Sequence, residues 1–210
     1  MNYSKPQLFI IAGANGAGKS STSKLLLEPY NLTAFDWDQE FYSQWSKFGF
    51  DPVIMQGIRD STSSLFREKI DQSLKSKTDF AFETNFHDSS LFSITKEFQE
   101  AGFEINLYFL LVSEMEICKG RVKYRVEKEK GHFVSESAIE NRFLAGLKNL
   151  NQSFRFFNHL TILDTSLDHD AELIAAFDNG KVQIAERVLP EQVQRYLPDI
   201  AVALADHSTF

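Results

Sequence analysis

Cysteine is almost absent: the 210 residues contain one, Cys118. No internal disulfide can form, which fits a reducing compartment and predicts a cytoplasmic protein. Long apolar runs are absent too. The longest, such as LYFLLV at Leu107–Val112, are too short to cross a bilayer, so no membrane partner is expected. The N-terminus MNYSKPQLF has no charged start leading into an apolar stretch and cleavage site, so no signal peptide is expected. Excess basic charge is also missing. Twenty-two Lys and Arg against 29 Asp and Glu give a net charge of −7, which argues against long nucleic acid or anionic membrane as partners but leaves room for a small basic pocket. No His/Cys/Asp cluster has the spacing of a protein-held zinc site, and there is no internal repeat or low-complexity tract.

The hydrophobic fraction of 43% and the 20 phenylalanines suit one globular domain over 1–210 with an aromatic-rich core. The most specific signal is GANGAGKSS, Gly13 to Ser21, straight after the apolar run LFIIA at Leu8–Ala12. The spacing G-x-x-x-x-G-K-S is that of a phosphate-binding loop. Gly13, Gly16 and Gly18 let the backbone turn tightly and aim its N–H groups at phosphate oxygens. Ala14, Asn15, Ala17 and Ser21 complete the cradle. Lys19 is expected at the β- and γ-phosphates of ATP, and Ser20 at Mg²⁺. The helix that follows turns its positive end toward the anion.

Apolar runs alternate with helical patterns along the rest of the chain. Strands are expected at Leu8–Gly13, Leu32–Asp36, Asp79–Thr84, Phe103–Val112 and Leu160–Thr165, with a further strand at Lys181–Val188. Helices are expected at Lys19–Leu27, across most of Asp51–Lys77, and at Ser89–Ala101 and Glu114–Lys130. One more is expected from a capping box at Ser137 and Glu140, then Leu167–Phe177 and Glu191–Ala205. This alternation predicts an α/β fold with a mainly parallel sheet and helices on both faces. Ligands of such sheets bind beyond the carboxyl ends of the strands, which gathers Gly13, Asp36–Asp38 and Glu83–Asn85 around one cleft. Residues 166–210 read as the last helices and strand of the same domain, without an assigned role.

Four groups of side chains suit phosphoryl transfer. Asp36 and Asp38, in FDWDQE, fall on one side if the strand continues that far. Asp38 is the favoured base for an acceptor hydroxyl. Glu83 in FAFETN suits metal-bound water or substrate, and Thr84 and Asn85 suit phosphate or sugar oxygens. Arg121 and Arg125 lie four apart on one helix face, and Arg142 sits on the next helix; any of the three suits the transferring phosphate. His132 reads as a turn residue. The chain has no apolar run ending in Asp-Glu, no LSGGQ-like signature and no N-K-x-D motif. A motor ATPase, a transporter ATPase and a GTPase are therefore all disfavoured, and a small kinase remains. The alternative is a nucleotide-dependent switch acting on a protein partner.

With these stretches assembled, the chain resembles the zeta-toxin-like P-loop kinases, in particular the branch often labelled predicted ABC-type ATPase. The resemblance runs from about Leu8 to Thr165, through IIAGANGAGKSS, FDWDQE, FAFETN, AGFEINLYFLLV, ICKGRVKYRVEKEKGHFV and IENRFLAGLKNL. It implies a P-loop kinase-like three-layer α/β sandwich and transfer of the γ-phosphate of ATP to a sugar hydroxyl, of UDP-N-acetylglucosamine in the best-known members. It also implies a small helical antitoxin as partner. By motif it places nucleotide and Mg²⁺ at Lys19 and Ser20, the base at Asp38, and substrate or metal-bound water at Glu83 and Thr84. The arginines over the phosphate would be Arg121 or Arg125, together with Arg142. Ala14 stands where that branch often has proline, and ETN stands for the more usual E-T-T, beside the acceptor position.

Overall fold

A computed structural model describes residues 5–129, 133–167 and 171–207. Strand β1 (Gln7–Ala12) is buried at all six positions, so both faces of the sheet are covered there, as expected of a central parallel strand. Each fully buried Leu, Ile or Phe in it contributes roughly 1.5–3 kcal/mol. Helix α1 (Lys19–Leu27) follows the glycine-rich loop. The two-residue strand β2 (Phe35–Asp36) comes next, then α2 (Trp37–Ser46) and α3 (Met55–Ser76). Strand β3 (Phe80–Thr84), α4 (Ser90–Glu100), β4 (Glu104–Leu111), α5 (Met115–Glu129) and α6 (Glu136–Ser153) lead to β5 (His159–Asp164). The chain closes with β6 (Glu172–Asp178), β7 (Lys181–Ala185), α7 (Glu191–Tyr196) and α8 (Pro198–His207).

One seven-stranded sheet results, in the order β2-β3-β1-β4-β5-β6-β7. The first five strands in that order pair in parallel, and β6 and β7 pair antiparallel. The expected α/β class and mainly parallel sheet are what the chain adopts. The order reverses at β1: β3 lies on one side and β4 on the other. The glycine-rich loop leaves β1 at that switch point, where a crevice opens beyond the strand ends.

Four local expectations need correction. The helix expected over Leu167–Phe177 is strand β6 from Glu172 onward. Its apolar run ends in Asp178-Asn179-Gly180, and Asn179 (φ 47°) and Gly180 (φ 74°) both take left-handed backbone. That is a two-residue hairpin turn into β7, and it decides for strand over helix. Strand β2 stops at Asp36, which becomes the N-cap of α2 by accepting from Gln39 N at 3.0 Å. Asp36 and Asp38 therefore do not share a strand face, and α2 itself was not expected. The cap of α6 is Ser135, accepting from Ala138 N at 3.3 Å, and not Ser137. Glu140 pairs with Lys119 at 2.6 Å instead of closing a capping box. The single helix expected at Glu191–Ala205 is divided by Pro198 into α7 and α8. His132 and Lys130 lie outside the described residues.

Candidate active site

The loop from Gly13 to Gly18 is held on three sides. Gly13 N donates to Thr84 O at 3.2 Å, Thr165 Oγ1 donates to Ala17 O at 2.9 Å, and Arg121 Nη1 reaches Gly16 O at 3.4 Å. Gly16 has φ +85°, and a Cβ there would lie 2.4 Å from Cys118 O. Gly16→Ala combines left-handed strain with a backbone clash. It is expected to cost about 1–3 kcal/mol, read as a lower melting temperature with weakened ATP binding. An unchanged melting temperature would show that the loop can shift freely.

Helix α1 begins without a side-chain cap at Gly18 and with no acidic residue in its first turn. Its leading N–H groups have no competing carboxylate, which is the condition for receiving a phosphate. Ser21 is exposed in that turn. Lys19 is enclosed, and its ammonium donates to Gly13 O (2.8 Å), Ala14 O (3.1 Å) and Asn85 Oδ1 (3.0 Å). Burial lowers its pKa, and the nearby Glu83, Asp38 and Asp36 oppose that fall. A cation held among three carboxylates at the phosphate loop suits a polyanion brought in with a divalent metal.

The acidic side of the cleft follows from sheet register. Asp36 on β2 and Glu83 on β3 are direct parallel partners, so their carboxylates stand side by side. Ser20 Oγ lies 3.1 Å from Glu83 Oε2 and 3.4 Å from Asp36 Oδ2. Ser23 Oγ donates to Glu83 Oε1 at 2.8 Å. Two carboxylates and a hydroxyl form an all-oxygen donor set, the kind Mg²⁺ prefers. Burial, and then the charge on Asp36, pushes the Glu83 pKa up from its ordinary 4.5. The folded protein thus binds this proton more tightly than the unfolded chain does. Stability falls as pH rises from about 4.5 through the raised value, and above it the ionised Glu83 is a standing cost. Glu83→Gln is expected to raise the melting temperature of the nucleotide-free protein at pH 7, with the gain shrinking toward pH 4.5. Calorimetry across that range checks it, and a lower melting temperature at pH 7 would contradict it.

Asp38 sits in the first turn of α2. Its Oδ2 receives Asn15 Nδ2 at 3.4 Å and Asn85 Nδ2 at 3.5 Å, and it pairs with Arg142 Nη1 at 3.8 Å. Arg142 also donates to Asn15 Oδ1 at 2.7 Å. Both asparagines are buried. The Asn85 carboxamide therefore touches the Lys19 ammonium with its oxygen and the Asp38 carboxylate with its nitrogen. Of the expected site residues, Lys19, Ser20, Glu83, Asn85, Asp36, Asp38, Asn15 and Arg142 converge. Thr84 Oγ1 turns locally to accept from Phe86 N at 3.1 Å.

Arg121 is anchored elsewhere: it donates to Thr165 O (2.7 Å), Ser166 O (3.1 Å) and Leu167 O (3.1 Å), besides Gly16 O. It ties the phosphate loop to the turn after β5. Arg125 is half-buried one turn further along α5. Beyond Asp38 and Arg142 the cleft widens into a cavity of about 780 Å³ lined by the aromatics of α2. Those aromatics were missed. Trp37, Phe41 and Trp45 repeat every four residues in the sequence, and that was the available signal.

Comparison with known proteins bears on this site. Residues 1–173 match the family model described as Zeta toxin. Among solved structures, the AvrRxo1-ORF1:AvrRxo1-ORF2 complex with sulphate ions superposes with a TM-score of 0.69 at 15% identity, over 92% of this chain and 64% of that one. The same complex with ATP gives 0.64 at 15% identity, over 91% and 62%. The chain thus spans a little under two thirds of those proteins. The PezAT chromosomal toxin–antitoxin system of Streptococcus pneumoniae gives 0.63 at 12% identity, over 98% and 88%. No curated protein matches by sequence. Among the described residues no helix is long and apolar enough to cross a membrane.

Proposed function

The chain belongs to the zeta toxin family, and from that premise we propose that it is an ATP-dependent kinase that phosphorylates a hydroxyl of a small acceptor. One observation carries the reading: Asn85 bridges Lys19 and Asp38, 3.0 Å from one and 3.5 Å from the other. A group that holds phosphate and a group that takes a proton thus share one contact, as in-line transfer between two bound molecules requires. The AvrRxo1 complex solved with ATP supports the choice of nucleotide.

In this mechanism the loop N–H groups and Lys19 hold the β- and γ-phosphates. The acceptor oxygen attacks phosphorus, the bond to the leaving ADP oxygen breaks, and the hydroxyl proton passes to Asp38. Arg142 faces the charge that develops on the transferring group. Ser20, Asp36 and Glu83 would hold Mg²⁺, which supplies charge neutralisation across the phosphates. Arg121 keeps the loop in shape from outside, and Arg125 is the further arginine within α5.

Residues 1–210 act as one domain in this reading, with β6 and β7 completing the sheet. A nucleotide sugar such as UDP-N-acetylglucosamine, which the family resemblance suggests, belongs among the acceptors tried. A small helical antitoxin is the partner to seek, since the PezAT relative is a toxin–antitoxin system. The test is mass spectrometry of the purified protein with ATP, Mg²⁺ and a panel of nucleotide sugars, nucleotides and nucleosides. The expected product is an acceptor one phosphate heavier. ATP bound without any acceptor-dependent transfer would replace the kinase with a nucleotide-dependent switch.

A further inference from the structure

Helix α2 has an unusual balance. It carries Trp37, Phe41, Tyr42 and Trp45, yet none of its ten residues is buried. Aromatic side chains on a helix that only completes a fold normally lose most of their surface to the core, because each represents 150–250 Å² of burial. Here they stack on one another instead. Trp37 and Phe41 lie 5.3 Å apart and nearly parallel at 9°, Phe41 and Trp45 lie 5.6 Å apart, and Phe50 closes edge-on against Trp45 at 87°. This ladder forms one wall of the 780 Å³ cavity, and Val126 of α5, Val134 ahead of α6 and Ala138 of α6 supply apolar surface. The size is that of a pocket for a small organic ligand.

Charge in the cavity is sparse and placed. Arg142 is engaged with Asp38 and Asn15. Arg59, from α3, lies over the ladder, 4.7 Å from the Phe41 centroid and 6.0 Å from that of Trp37. It is exposed, and among the described residues it has no carboxylate partner. One uncommitted guanidinium at the aromatic wall suits one anionic group. A diphosphate would call for more cations than the lining offers. Asp38 lines the same cavity, so a hydroxyl on the ligand can face the phosphate loop.

We infer that this cavity binds a nucleoside monophosphate: the base stacks on the Trp37–Phe41–Trp45 ladder, the single phosphate meets Arg59, and a ribose hydroxyl faces Asp38. The inference rests on the kinase reading only for the role of Asp38. Stacking and the Arg59 contact are properties of binding alone.

The chain has two tryptophans, Trp37 and Trp45, and both stand in the ladder, so intrinsic fluorescence reports this pocket. The experiment titrates uridine and adenosine 5′-monophosphates into the full chain, with Mg²⁺ and a saturating non-hydrolysable ATP analogue occupying the phosphate loop. Saturable quenching is expected. Phe41→Ala, which keeps both fluorophores, is expected to weaken binding about tenfold, and so is Phe41→Leu, which keeps apolar volume without a ring. Arg59→Gln, at an exposed position, is expected to weaken the monophosphates about tenfold and leave uridine and adenosine unchanged. Absence of saturable quenching, or equal loss of nucleotide and nucleoside binding in Arg59→Gln, overturns the assignment. So does a nucleotide sugar that binds more tightly than the monophosphates and is indifferent to Arg59. Quenching without phosphate transfer would remove the kinase and keep the pocket. Transfer to a non-aromatic acceptor without quenching would do the reverse.

Discussion

Asp38→Asn is expected to slow phosphoryl transfer by about 10²–10⁴-fold while ATP affinity stays within about twofold. The carboxylate receives two buried carboxamides and the Arg142 guanidinium on one oxygen, Oδ2. That leaves Oδ1 to take a proton from the acceptor. Asparagine keeps the size and can still accept from its neighbours, but it cannot serve as the base. The loss should therefore fall on kcat, with acceptor KM little changed. Steady-state kinetics beside equilibrium ATP binding separates the two quantities. A variant that loses ATP binding in proportion to rate would make Asp38 part of the nucleotide site, and Asp36 the better candidate for the base.

Lys19→Ala is expected to act differently. It removes the cation that three carboxylates surround and the group placed to reach the phosphates. A charge-assisted contact of that kind is worth about 1.5–3 kcal/mol in binding, or roughly 10–150-fold in ATP affinity. In the proposed mechanism the same ammonium neutralises charge developing during transfer, so activity should drop by at least about 10³-fold. Calorimetric ATP titration and the product assay check both halves, and circular dichroism confirms that the chain still folds. Retained transfer would mean that the loop amides and metal suffice and that Lys19 serves only the loop, through its bonds to Gly13 O and Ala14 O. The two variants together distinguish a phosphate-holding group from a proton-taking one.

The pattern of these effects depends on how the site is assembled. Lys19 and Asp38 are brought to one carboxamide by residues from three separate segments: the start of α1, the start of α2 and the residue just after β3. A change at Asn85 should alter both ends of the reaction because it touches both.

Much of this was determined by the sequence alone. A phosphate loop must have glycine where the backbone turns left-handed against Cys118, and lysine and serine where an ammonium and a hydroxyl meet phosphate and metal. Such local constraints survive in linear order. The five parallel strands were legible for a similar reason: apolar runs between helical patterns mark them, most plainly β1, which is buried at every position. Tertiary structure decided the rest. ELIAAFD alone suits a helix or a strand, and only pairing with β5 across a hairpin at Asn179–Gly180 settles it. Whether Asp36 and Asp38 share a face depended on where β2 stops, which its pairing to β3 fixes at two residues. Arg121 and Arg125 share a helix face in sequence, yet the turn after β5 supplies the carbonyls that hold Arg121 away from the acidic pair. The α2 aromatics stood four apart in the sequence. That they line a cavity and not the core is a property of the packed fold, since periodicity gives a helix its face but not what that face meets.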